Sequence, residues 1–197
     1  MVQPYSHEPF TDFTKEEDRK DFESALKQVE SELGQDYPLV IGGERIFTDD
    51  KLISYNPSDK NQVVGNVSKA NKDHVEQAMK AARKAFQTWK TWDPEVRAEI
   101  LFRTAAIVRR RKHEFSALMV YEVGKPWGQA DADTAEGIDF LEYYGRQMIE
   151  LAKGKPIHDR VGENNTYFYQ SIGPGVTIPP WNFAFAIVCG TTVGPIV

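Results

Sequence analysis

From Gly173 to the last residue the chain reads GPGVTIPPWNFAFAIVCGTTVGPIV. A short β-type run up to Ile178 meets two prolines, and an apolar stretch rich in small residues follows. Proline has no N–H to give to a ladder or a helix interior, so Pro179 and Pro180 force a corner. A strand that turns into a helix at such a corner opens a βαβ unit, which needs a second, parallel strand. No such strand follows, so the expectation is the start of a parallel sheet, in a chain that stops in the middle of a domain. The same stretch raises a second question. Asn182 is a lone carboxamide in an apolar run, and burying an amide without partners costs roughly 1–3 kcal/mol.

Upstream of this corner the chain is mostly helical. Phe22, Leu26, Val29 and Leu33 are spaced for a surface helix closed by Gly34. YPLVIGGERIF carries a Gly42-Gly43 turn and reads as a hairpin, and strands are expected over 51–55 and 62–68. Asn71 is the expected N-cap of a helix with one buried stripe: Val75, Ala78, Met79, Ala82, Phe86 and Trp89. Asp93-Pro94 starts another helix, expected to bury Val96, Ile100, Leu101, Ile107 and Val108. A helix over 114–123 stops at Gly124, and a long one opens at Pro126, carries Ile138, Leu141, Met148 and Ile149, and ends near Gly154. Residues 155–157 and 166–172 read as two strands joined by the polar loop DRVGENN.

Composition narrows the partners. With 24 basic and 29 acidic residues the formal charge is −5, which argues against nucleic acid or an anionic membrane surface. The run Arg109-Arg110-Arg111-Lys112 closes a helical pattern, where cations meet the helix dipole favourably. A single cysteine, Cys189, excludes an intrachain disulfide and fits a reducing compartment. The acidic opening segment lacks the apolar core of a signal peptide, so a cytoplasmic location is expected. No metal site is expected: His113-Glu114 lacks the second histidine of a zinc-protease helix, and there is no paired CxxC. Gly173-Pro174-Gly175 lacks the third glycine of a dinucleotide fingerprint and precedes its strand rather than following it.

Three blocks occur in order: YEVGKPWGQADADTAEGIDFLEYYGRQ, TYFYQSIGPGV and IPPWNFAFAI. Together they resemble the N-terminal part of the aldehyde dehydrogenase superfamily. HEPFTDFT and YPLVIGGERIFTDDKLISYNPSDKNQVVGNVSKAN resemble one branch of it, the bacterial 1-pyrroline-5-carboxylate dehydrogenases. The resemblance implies an α/β fold: a helical layer and small hairpins over 1–153, a bridging hairpin over 154–172 used in homo-oligomer contacts, and the first strand and helix of a parallel NAD-binding sheet over 173–197. It implies NAD-dependent oxidation of a small-molecule aldehyde, L-glutamate 5-semialdehyde, to glutamate. It also implies that the nucleophilic cysteine, the glutamate base and the catalytic domain lie beyond Val197.

The resemblance assigns roles to particular residues. Asn182 becomes the donor that stabilises the oxyanion formed when a thiolate attacks the aldehyde; on spacing alone it reads as the cap of a helix starting at Phe183. Ile178, Pro179, Pro180 and Trp181 become cofactor contacts, and a rigid corner with Trp181 as packing is the compatible alternative. Phe183 would line the aldehyde pocket, where spacing alone makes it a core aromatic. Glu136 would lie near the substrate, against the alternative of a solvated helix face. Cys189 sits in AIVCG and reads as buried and inert rather than as the nucleophile. Two rival functions are an inactive fragment or non-catalytic interaction module, and a dehydrogenase of another aldehyde.

Overall fold

A computed structural model describes residues 3–197. Helix α1 (Glu16–Ser31) is followed by five short strands: β1 (Gln35–Tyr37), β2 (Leu39–Ile41), β3 (Glu44–Ile46), β4 (Lys51–Asn56) and β5 (Asp59–Ser68). Helices α2 (Lys72–Trp89), α3 (Pro94–Arg110), α4 (Lys112–Val123) and α5 (Trp127–Ala152) come next, and α6 (Ala186–Ile196) closes the chain. β2 and β3 form the hairpin expected at Gly42-Gly43, whose φ angles of 62° and 90° suit glycine. β4 and β5 pair antiparallel across Pro57-Ser58.

The sheet also holds a strand that periodicity did not reveal. β1 runs parallel to β5, with Gln35 opposite Gly65. After α1 the Gly34 N–H donates to the Val64 carbonyl at 3.0 Å, which lays the next three residues along β5. Tyr37 packs over Gly65, where a Cβ would come within 2.5 Å of its ring.

Caps and punctuation behave as their chemistry requires. The Asn71 side chain accepts from the His74 N–H at 3.0 Å while His74 Nδ1 accepts from the Asn71 N–H, closing a capping box on α2. Asp93 accepts from the Glu95 N–H ahead of Pro94. Gly124 ends α4 in the left-handed region at φ 67°.

The core lies where α3 crosses α5. Ala98, Leu101, Ala105 and Val108 meet Ile138 and Leu141, with Val197 beside them. The crossing is close because Gly145 admits the Phe102 ring, which a Cβ would meet at 2.6 Å. A second cluster joins α1 to α4 and α5: Phe22 is fully buried, with Phe13 and Trp127 ring centroids 5.2 and 4.9 Å away.

Several burial expectations fail for one reason: the faces concerned have no covering layer among the described residues. The α2 stripe is half-exposed or exposed, with Val75 at 55%. Val96, Ile100 and Ile107 are exposed, while Ala98 and Ala105 take the buried face of α3. Residues 173–178 form no strand, since a parallel strand needs a neighbour. The segment over 154–172, expected as a bridging hairpin, is likewise not a ladder. It does double back, through a turn at Gly162 (φ 86°), so that Tyr167 returns against Gly154 and Lys155 lies over its ring at 5.3 Å. Finally, α6 begins at Ala186 rather than Phe183.

Two glycines of α5 make opposite predictions. Gly145→Ala should cost about 1–3 kcal/mol through the Phe102 clash, seen as a lower urea midpoint. Gly128→Ala, with open space around its Cβ, should gain about 0.5–1 kcal/mol by restricting the unfolded chain. Equal effects would refute the close-crossing account.

Candidate active site

The left-handed turn at Gly124 and the start of α5 at Trp127 fix Lys125 between two helices. Two turns into α5 stands Asp133, whose side chain is 1% exposed. Its Oδ2 is ion-paired with Lys125 Nζ. Its Oδ1 accepts from the Ala186 N–H at 2.6 Å. Ala186 is the first residue of α6, and Phe185 at the cap position offers no side-chain acceptor. A carboxylate from a different helix therefore satisfies the exposed N–H and the positive end of α6.

The segment ahead of α6 is held at two further points. Lys125 Nζ sits 4.8 Å from the centre of the Phe183 ring, a cation–π contact. The Phe185 ring packs against Gly137, where no Cβ would fit, and lies 4.9 Å from the Phe115 ring. Residues 181–185 thus form a bent segment pinned by α4, α5 and the residue between them.

Asn182 stands in this segment, exposed and with no side-chain hydrogen bond among the described residues. It does not cap a helix, because α6 starts four residues later. Phe183 is 39% exposed, so it is not a core aromatic. Ile178, Pro180 and Trp181 are exposed, Trp181 at 85%, and Pro179 is partly so. Among the described residues, no backbone group from Gly173 to Asn182 is hydrogen-bonded to another backbone group, so this corner presents backbone acceptors without partners there.

Glu136 is half-buried, one turn beyond Asp133. Burial, then the neighbouring carboxylates Asp133 and Asp139, push its carboxyl above the ordinary range, and Lys125 partly opposes them. It is neither a freely solvated helix-face residue nor paired. Through Lys125 it shares a neighbourhood with Phe183.

Lys125 belongs to the family block Glu122-x-Gly124-Lys125-Pro126, but sequence reasoning gives neither it nor Asp133 a role. A usable signal was present: Asp133 shares a helix face with the small residues Ala130, Thr134 and Gly137, all buried, and a buried acid needs a partner. A second buried acid of α5, Asp131, accepts from Thr11 and pairs with Lys112 at 2.9 Å, tying down the N-terminal arm.

Cys189 is partly buried against the core, its Sγ 3.5 Å from the Gly137 carbonyl, and burial raises the thiol to about 11. An ordinary free thiol titrates near 8.5, so at pH 8 this one stays protonated and reacts only as the pH climbs. Iodoacetamide at pH 8 should label the folded chain at least about tenfold more slowly than the urea-unfolded chain, since only the thiolate attacks. Equal rates would contradict the burial.

Residues 46–197 match the aldehyde dehydrogenase family. The whole chain is 70% identical to the 1-pyrroline-5-carboxylate dehydrogenase of Oceanobacillus iheyensis and 65% identical to that of Geobacillus kaustophilus, and it spans 38% of the length of each. Among solved structures it resembles 1-pyrroline-5-carboxylate dehydrogenase from Thermus with bound NAD, at TM-score 0.96 and 46% identity over 99% of this chain and 38% of that one. The Mycobacterium tuberculosis enzyme, at TM-score 0.74 and 23% identity, shares the fold. With most of its length matched and its signature segment pinned by two helices, the chain belongs to the aldehyde dehydrogenase family.

Proposed function

We propose that the complete protein carrying this chain oxidises L-glutamate 5-semialdehyde, the open form of 1-pyrroline-5-carboxylate, to L-glutamate with NAD, in the cytoplasm. The observation that carries the reading is the 70% identity, across all 197 residues, to a 1-pyrroline-5-carboxylate dehydrogenase. Geometry supports it: the segment bearing Asn182 and Phe183 is exposed on one side and clamped on the other.

In this reading the Asn182 carboxamide donates N–H to the oxygen of the aldehyde as negative charge develops there. A preorganised donor is effective because it needs no reorientation during the reaction. Phe183 supplies an apolar wall, and Glu136 borders the substrate. Cys189 is no nucleophile here, being a protonated thiol held against the Gly137 carbonyl. The thiolate, and the base that activates water, come from outside these 197 residues.

The backbone acceptors at Ile178–Trp181, unpaired among the described residues, fit a dinucleotide, which offers ribose hydroxyls to them. When bound, NAD supplies the hydride acceptor. The doubled-back segment 154–172 exposes Tyr167, Phe168, Tyr169 and Ile172, an apolar set suited to homo-oligomer contacts. No described helix is long and apolar enough to cross a membrane.

The test is NADH formation by the complete protein. Glutamate semialdehyde should be turned over with a higher kcat/KM than simple aliphatic aldehydes; the reverse order would replace the substrate assignment. Asn182→Ala should lower kcat about 100- to 1,000-fold, and unchanged turnover would remove the oxyanion role. Phe168→Asp should lower the mass seen by light scattering; an unchanged mass would move the oligomer contact elsewhere.

A further inference from the structure

The chain's most deeply buried ion pair near the candidate site has no role in the proposed chemistry. Asp133 is 1% exposed and Lys125 14%. Such a pair is weak evidence for stability, because removing two charges from water offsets much of their attraction. It is well suited to fixing geometry. Asp133 places two acceptor oxygens on two different targets: the first N–H of α6 and the Lys125 ammonium. Lys125 in turn has a second partner, the Phe183 ring. The two contacts fall at Phe183 and Ala186, so they hold Ala184 and Phe185 between them and anchor Asn182 through the residue that follows it.

We propose that Asp133 and Lys125 form a clamp that positions the segment 182–185, and so sets where the Asn182 carboxamide and the Phe183 ring stand. Both are positioning residues: they act through Ala186 and Phe183. The inference rests on the functional reading given above. Beside the Phe185 ring against Gly137 and Phe115, the segment has few other restraints: among the described residues, 173–182 form no backbone–backbone hydrogen bond. Without the clamp, α6 would begin on unsatisfied N–H groups, and Phe183 would lose the cation above its face. The oxyanion donor would then sample positions away from the reacting carbonyl. A misplacement of about 1 Å can cost on the order of 100-fold in rate.

The test uses the complete protein and three variants. Asp133→Ala removes both oxygens. Lys125→Met keeps the length of the side chain but removes the charge, and Lys125→Arg restores a cation that can reach both partners. The positioning account expects Asp133→Ala and Lys125→Met to lower kcat by about 10- to 100-fold while KM for NAD changes by less than about threefold, and Lys125→Arg to recover most of the loss. Hydrogen exchange should accelerate in peptides covering 182–187 but not in those covering the α3–α5 core. If Asp133→Ala fails to fold, the Lys125 pair of variants decides alone.

Normal kcat in Lys125→Met, or exchange accelerated equally throughout the chain, would overturn the clamp and leave the dehydrogenase reading intact. Absence of aldehyde oxidation in the unmodified protein would instead overturn that reading. Local exchange at 182–187 would then decide the clamp by itself, with unchanged protection refuting it.

Discussion

Taking a carboxylate out of water costs several kcal/mol unless it is paired and hydrogen-bonded, and α5 takes two of them down to 1% exposure. Each then dictates what must lie beside it. Asp131 demands Lys112 from the start of α4 and draws the N-terminal arm across through Thr11. Asp133 demands Lys125 and the first amide of α6. The neighbouring Asp139, less deeply buried, accepts from the Glu8 N–H at 2.8 Å and extends the same tie. One helix thereby holds the N-terminal arm and α6 by polar ties, and α6 also packs on the core through Phe185, Val193 and Val197.

This arrangement explains how a segment with little regular structure can carry chemistry. Precision at a site comes from elements whose own side chains are locked. Residues 181–185 are neither strand nor helix, and they gain order from rigid neighbours: Gly137 for the Phe185 ring, Lys125 for Phe183, Asp133 for Ala186. The side left open contains Asn182, Trp181 and the proline corner. Polar and apolar restraints are thus segregated on one side of the segment, and binding capacity on the other.

Much of the helical layer could be read from residue patterns because its determinants are local. Asn71, Asp93-Pro94 and Gly124 act within one turn of themselves, so their consequences survive whatever packs around them. The hairpin at Gly42-Gly43 is local in the same sense. Burial is not. The stripe from Val75 to Trp89 has the right period, but period says which face is apolar and not whether another layer reaches it. The run 173–178 has strand chemistry and no partner strand, so it stays extended and exposed. β1 escaped notice for the opposite reason: its pairing is set by Gly34 and Gly65, which carry no periodic signal. At the site, the motif around Asn182 is legible as a string, whereas Asp133 and Lys125, the latter itself inside a family block, matter through contacts spanning 53 and 8 residues of sequence.

A crystal structure of the complete protein with NAD and an unreactive analogue of glutamate semialdehyde would bear on the whole account. The account predicts Asp133 joined to Lys125 and to the Ala186 amide, the Asn182 carboxamide facing the carbonyl carbon's oxygen, and the nucleotide beside Ile178–Trp181. A structure in which Asn182 turns away from the analogue, with the Asp133 contacts broken, would contradict it.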